Sequence, residues 1–503
     1  MSFKIDVCKL LLIGFVLLGV LKVGSQIPHT LPLIPKEKLK RDIVLLQQGL
    51  ASFHTGLYWY TPKDSIDLAF QQALESITGP MDALSFYRVI SPLVALTRED
   101  HTNLSLPKDV EQYLSEEAKF FPLIIRFLDR KMYVIYNGDS TKHDIQGLEV
   151  ESIDQVPVPQ LVNHIGKHFA TDGYVQSVKY SDLNGFLFSR QFYLVYGQRD
   201  SFEVTLKGKD GNQSLIVPAH NYKAILKHLE DHHDLKVNRS KKKVEKNLAY
   251  RVDSNNVAYL AVHSFYNPDY KKDTINRRYR KFLENTFADM QRRGVQNLIL
   301  DISQNGGGHE GNENLLYSYL DDNYQKYDEV LVKAKKVVLD NGVDRPIRLK
   351  LGNVFDRNLG YFKREDGSLS RKPNAGHGLM AYKKEPKYKF QGNLFVIIGP
   401  VTYSGGSELA NMLYTRDRGV FIGEETGGGY LGNTSGLSST LVLPHANIAI
   451  DIPALQYKMN VKGGEQGRGV LPHHEVIPTI EEYLNRTPVQ INFAKKLIAK
   501  SLM

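Results

Sequence analysis

Three stretches carry residues whose types and spacing could do covalent chemistry. The first is 394–410, where an apolar run ends in Thr402-Tyr403-Ser404-Gly405-Gly406-Ser407-Glu408. A strand that bends sharply into a helix leaves a serine hydroxyl at the helix N-terminus, where free N–H groups and a partial positive charge favour an alkoxide and a developing oxyanion. Gly405 and Gly406 permit the bend and a close approach of substrate to backbone. Ser404 is therefore the candidate nucleophile. Ser407 with Glu408 reads as the helix cap and first turn, and a purely structural Ser-Gly-Gly turn is the other reading. The second stretch, 297–308, is a buried-type strand running into Asn305-Gly306-Gly307-Gly308. Consecutive glycines can present a backbone N–H where a side chain would bar access. The run has neither the lysine and spacing of a P-loop nor a Gly-x-Gly-x-x-Gly. The third stretch is Glu99-Asp100-His101-Thr102. A serine needs a base, and histidine titrates in the useful range. Sixteen histidines are available, so residue type alone does not select His101.

The elements that must position these residues follow from periodicity. Residues 37–96 read as helices: Leu39, Ile43, Leu46, Leu50 and Phe53 recur at helical spacing, and 66–78 and 82–96 continue the pattern after a turn and N-cap at 62–65. Residues 120–219 change to short strands (123–127, 132–136, 147–153, 202–206) with one helix near 158–168 and a hairpin turn at 208–212. Residues 220–248 are polar and basic and read as an exposed linker. His228 and His232 could share a helix face there, with Glu230 or Asp231 nearby, but a solvated helix explains them more simply than a metal site. From 249 onward strands (257–262, 297–301, 394–399, 420–423) alternate with helices (274–293, 407–414), which implies an α/β layer with functional loops at the strand ends.

Bulk properties exclude several chemistries. The single cysteine, Cys8, lies in the first 25 residues, which have a basic start, an apolar run and small residues before Gln26, the anatomy of a secretory signal. The processed chain then has no thiol nucleophile, disulfide or thiolate metal site. No second run is long enough to span a bilayer. The expectation is an exported protein, periplasmic or secreted, or held at a membrane by an uncleaved signal. The formal charge of +9 falls to about +7 without residues 1–25, and Lys241-Lys242-Lys243 lacks the interleaved aromatics of a nucleic-acid surface.

Taken in order, the three stretches resemble the S41 (tail-specific, carboxyl-terminal-processing) peptidases. The match is carried by Asp100-His101-Thr102, by Asp301-Ile-Ser-Gln-Asn305-Gly-Gly-Gly308, by Thr402-Tyr-Ser404 with Glu408, and by Gly423-Glu-Glu-Thr-Gly-Gly428. Two positions depart from the family pattern. Ser303 stands where the family has an arginine, and no lysine follows the nucleophile where the processing peptidases place their base; Lys462 lies too far along. The chain is thus more similar to the tricorn-like branch, which draws a histidine base from the early element. The resemblance implies acyl transfer in which His101 deprotonates Ser404 and the N–H groups of Gly405 and of Gly306 or Gly307 hold the oxyanion. It nominates Glu465, before Gly469-Val-Leu-Pro, to orient His101, with Glu424 and Asp100 as alternatives.

The expectation is an α/β fold: an S41-type catalytic core of β-sheet with flanking helices (249–503), a helical N-terminal region carrying His101 (26–119), a degenerate PDZ-like β-rich module (120–219) and a linker (220–248). Such a module would capture extended peptide at a sheet edge. The expected function is a metal- and cofactor-independent serine endopeptidase acting on polypeptides, with no nucleic-acid partner. The rival is a non-catalytic peptide-binding protein on the same scaffold, which predicts that Ser404 and His101 lie apart. An α/β-hydrolase esterase would need Gly-x-Ser-x-Gly, which the residues around Ser404 do not supply.

Overall fold

The computed structural model describes residues 31–208, 211–233, 247–266, 277–340, 346–350, 360–371 and 385–501 of the 503. The expected signal, Lys241–Lys243, the centre of the 208–212 turn and the start of the 274–293 helix lie outside them. No helix among the described residues is long and apolar enough to cross a membrane.

Helix Lys36–Phe53 buries Leu39, Ile43, Leu46, Leu50 and Phe53, the stripe its spacing dictates. Helix Lys63–Ser76 begins directly after Pro62, three residues earlier than the periodicity suggests, because proline fixes an extended entry and needs no N–H partner. Asp82 caps Ala83–Ala95 by accepting the Ser85 N–H at 2.8 Å.

The region from 249 onward is built on a six-stranded sheet that also takes in Leu248, in the order Leu248–Val252, Val257–Val262, Asn297–Asp301, Asn393–Ile398, Val420–Gly423, His474–Glu475. The first pair is antiparallel and the rest are parallel. Their near-continuous apolar sequences fit a sheet covered on both faces. Five neighbouring parallel strands therefore open their following loops at one edge, where α/β sheets present their sites. A second sheet pairs Ala449–Met459 with Gly432–Val442, Tyr327–Val332 and Asn103–Ser105.

The β-rich module is a separate antiparallel sheet: Leu123–Leu128, Lys131–Asn137, Glu149–Ile153, Ser201–Gly208, Gly211–Pro218. Its Leu123–Leu128 edge is already occupied by its own chain: Gly185 donates to Ile125 O at 2.8 Å and Phe127 N–H donates to Asn184 Oδ1 at 2.7 Å. Helix Tyr222–His233 corrects the expectation of an exposed linker there. It packs down with Ile225 and Leu229 fully buried, and His220–Asn221 pairs with Lys119–Phe120. The two apolar positions four apart outweigh the polar composition that suggested solvent. The histidines on it serve that packing: His228 Nδ1 lies 3.0 Å from Gly138 O, and His233 Nε2 accepts the Asn137 N–H at 3.0 Å. Among the described residues no group of three or more His, Cys, Asp or Glu side chains could hold a metal ion.

Candidate active site

Strand Asn393–Ile398 leaves the sheet and turns into helix Gly405–Thr415 with Ser404 as its N-cap. The Ser404 backbone sits at φ 47°, ψ −126°, a region that costs a non-glycine residue about 1–3 kcal/mol. Its side chain makes no capping bond, so the hydroxyl is not spent on the helix. Ser407 is not the cap. It lies inside the first turn, where its Oγ donates to Ser404 O at 2.8 Å, and the helix starts two residues before it.

The glycine loop after Asn297–Asp301 packs directly against this turn. A side chain at Gly307 would lie 3.0 Å from Ser404 Oγ and 3.0 Å from Gly405 N, and its φ of +94° independently requires glycine. Asn305 organises the loop: its O accepts the Tyr403 N–H at 2.9 Å, and its buried amide donates to Val262 O at 2.9 Å. Asn305 Oδ1 also accepts the Gly307 N–H at 2.8 Å, so of the two glycines nominated for the oxyanion, Gly307 has its N–H engaged. The N–H groups of Gly306 and Gly405 have no acceptor among the described residues. Ser303, in place of the family arginine, donates its Oγ to Asp301 Oδ1 at 2.8 Å and, with Tyr259 at 2.8 Å on Oδ2, holds that carboxylate locally.

His101 comes from a segment some 300 residues earlier, and three contacts carry it here. Asn103–Ser105 adds as a strand to Ala449–Met459, with Asn103 opposite Asp451. Glu99, fully buried, accepts the Thr434 N–H at 2.8 Å and the Thr434 hydroxyl at 3.0 Å. Thr102 Oγ1 lies 3.0 Å from Nε2 of the buried His54, whose imidazole burial pushes down to about 3 and so keeps neutral. Burial likewise holds His101 below its ordinary value, against the opposing charges of Asp100 and Glu408. Its Nδ1 is buried without a hydrogen-bond partner among the described residues. Glu408, whose charge acts on His101, is one turn along the helix from Ser404.

The carboxylates nominated to orient His101 separate in space. Asp100 is adjacent to it in sequence; burial and the neighbouring Asp172 push its carboxyl up to about 6, against the charge of His101. Glu465 does not reach His101: its side chain is 76% exposed and lies 3.6 Å from Arg468. Glu424 is pushed up by burial and answers to Arg126 of the module, away from His101.

One polar cluster gave no signal in the sequence. Lys326, completely buried at the start of Tyr327–Val332, donates to Glu313 at 2.6 Å and to Glu408 at 2.8 Å, and Tyr327 donates its hydroxyl to Glu408 at 2.8 Å. Burial alone would lower the lysine, but Glu313, Glu408 and Glu310 outweigh it and hold it raised, as an ammonium. Through Glu408 this ammonium is tied to helix Gly405–Thr415.

Residues 256–476 match the family model of peptidase family S41. The fold is similar to that of mature CPAF, at 11% identity, over 92% of this chain and 96% of that one, with a TM-score of 0.57. It is also similar to mature CPAF complexed with lactacystin, at 12% identity over 92% and 97% of the two chains, with a TM-score of 0.55. No curated protein matches the chain in sequence. At these identities the structural likeness concerns the fold.

Proposed function

We propose that this chain, whose residues 256–476 match the family model of peptidase family S41, is a serine endopeptidase acting through an acyl-enzyme on Ser404 with His101 as general base. The observation that carries the reading is the Ser404 turn: a strained backbone, a hydroxyl free of capping duty, and a glycine loop held against it. Neutral His101 takes the hydroxyl proton as Ser404 attacks a peptide carbonyl. The N–H groups of Gly405 and Gly306 are the donors for the oxyanion. Imidazolium then protonates the leaving amine, and water, activated by the same imidazole, releases the acyl group. Asp100 supports the transient imidazolium through its charge. The substrate is polypeptide; the signal-like sequence of residues 1–25 supports substrates outside the cytoplasm, unfolded chains or their C-terminal tails among them.

The test is covalent labelling of residues 26–503 by a fluorophosphonate probe, beside Ser404→Ala and His101→Ala. Loss of labelling in both variants is the expected result. Labelling that survives Ser404→Ala would sink the assignment, and a folded wild type that never labels would favour a peptide-binding role.

A further inference from the structure

Residues 166–193 are inserted between strands Glu149–Ile153 and Ser201–Gly208 of the β-rich module, yet part of them reaches the active site. Asp172 is fully buried there. Its Oδ1 accepts the N–H of Asp100 at 3.1 Å and its Oδ2 accepts the N–H of Gly429 at 3.4 Å. The first partner immediately precedes His101. The second adjoins Gly428, where an added side chain would stand 3.4 Å from Ser404 N and 2.2 Å from Ser407 Oγ. One carboxylate thus joins the loop of the base to the loop beside the nucleophile.

The flanking residues hold it there. Gly173 donates to Arg98 O at 2.9 Å, and the Arg98 guanidinium lies 4.5 Å over the Tyr174 ring. Tyr174 donates its N–H to Gly467 O at 2.7 Å and its hydroxyl to Tyr60 O at 3.0 Å. A side chain on Gly173 would stand 2.3 Å from Gly467 Cα, so the two loops touch backbone to backbone. Ser177 donates to Glu425 O at 3.3 Å.

We propose that Asp172 is a positioning residue, a clamp from the inserted segment that sets His101 against Ser404; this rests on the Ser404–His101 reading. Two N–H donors from separate loops need two acceptor oxygens, which a carboxylate offers and an amide does not. Among the described residues no cation offsets its charge. The groups that face it are the carboxyls of Glu99 and Asp100 and the phenols of Tyr60 and Tyr403. Burial pushes Asp172 up to about 6, against the two N–H donors. Protonation would turn one oxygen into a donor and orphan one loop, so the clamp loosens as pH falls through that region.

Asp172→Asn keeps the shape and removes one acceptor, and it is compared with wild type in residues 26–503. The expected results are a fluorophosphonate inactivation rate lower by at least about tenfold at pH 7.5, and an acid limb of that rate displaced to lower pH, since Asp100 loses a neighbouring like charge. Amide deuterium uptake should rise in peptides covering 98–103 and 426–430 and stay unchanged elsewhere. A variant with wild-type rate and acid limb overturns the clamp while leaving the Ser404–His101 reading intact. Uptake that rises throughout the chain also overturns it, as loss of fold rather than of position. Wild type that does not label at Ser404 defeats the underlying reading first, and the clamp with it.

Discussion

Replacing Lys326 by methionine isolates the electrostatic base of the nucleophile helix. The ammonium is fully buried and bonded to Glu313 at 2.6 Å and Glu408 at 2.8 Å. Methionine fills similar volume, so cavity formation is a minor effect. The cost comes from the carboxylates, which lose the lysine they share in the interior. Removing one member of such a buried set costs about 3–5 kcal/mol. Tyr327 still donates to Glu408 and the Gly311 N–H to Glu313, which favours the lower half of that range. For a catalytic region of this size, about 4 kcal/mol corresponds to a fall in Tm of roughly 10 °C. Thermal unfolding of wild type and Lys326→Met measures this. The fluorophosphonate rate, read well below the transition, should fall far less than in His101→Ala. A deficit below about 1 kcal/mol would refute the buried network. Normal stability with abolished labelling would make Lys326 the base and displace His101.

Three further outcomes follow from the site. Gly307→Ala should lower the labelling rate by about 10²-fold or more, because its Cβ would stand 3.0 Å from Ser404 Oγ at a φ of +94°; stability read by Tm separates this from unfolding. Ser407→Ala should keep labelling and lose about 1 kcal/mol, the worth of its bond to Ser404 O; abolished labelling would make Ser407 the nucleophile. Asp100 and Asp172, raised to about 6 by burial, stabilise the fold while protonated, so their contribution is full below about pH 4 and lost as pH rises through 6. Activity should run the other way, rising through about pH 6 with His101 already neutral, and an acid limb above pH 7 would contradict the lowered imidazole.

What was legible in the sequence is local. The strand–turn–helix at Ser404, the glycine loop and the apolar strands around them depend on residues within one turn or one strand of each other. Their periods and glycines therefore announce them, down to the bounds of Val257–Val262 and Asn297–Asp301. The family motifs added His101, which residue type could not have chosen among sixteen histidines. The misreadings arose where local composition and packing disagree, as in Tyr222–His233, which reads polar yet buries Ile225 and Leu229. The partners of the site were decided only by tertiary structure. Asp172, Lys326, Glu313 and Thr434 are unremarkable in sequence, and each acquires its role from a residue 13 to 335 positions away. Glu465 shows the converse: a motif placed it near the base, and an ion pair with Arg468 at the surface holds it elsewhere. A side chain's type and its neighbours along the chain fix what it can donate or accept, but burial and a fixed opposite partner, which set its charge and orientation, exist only once distant segments have packed.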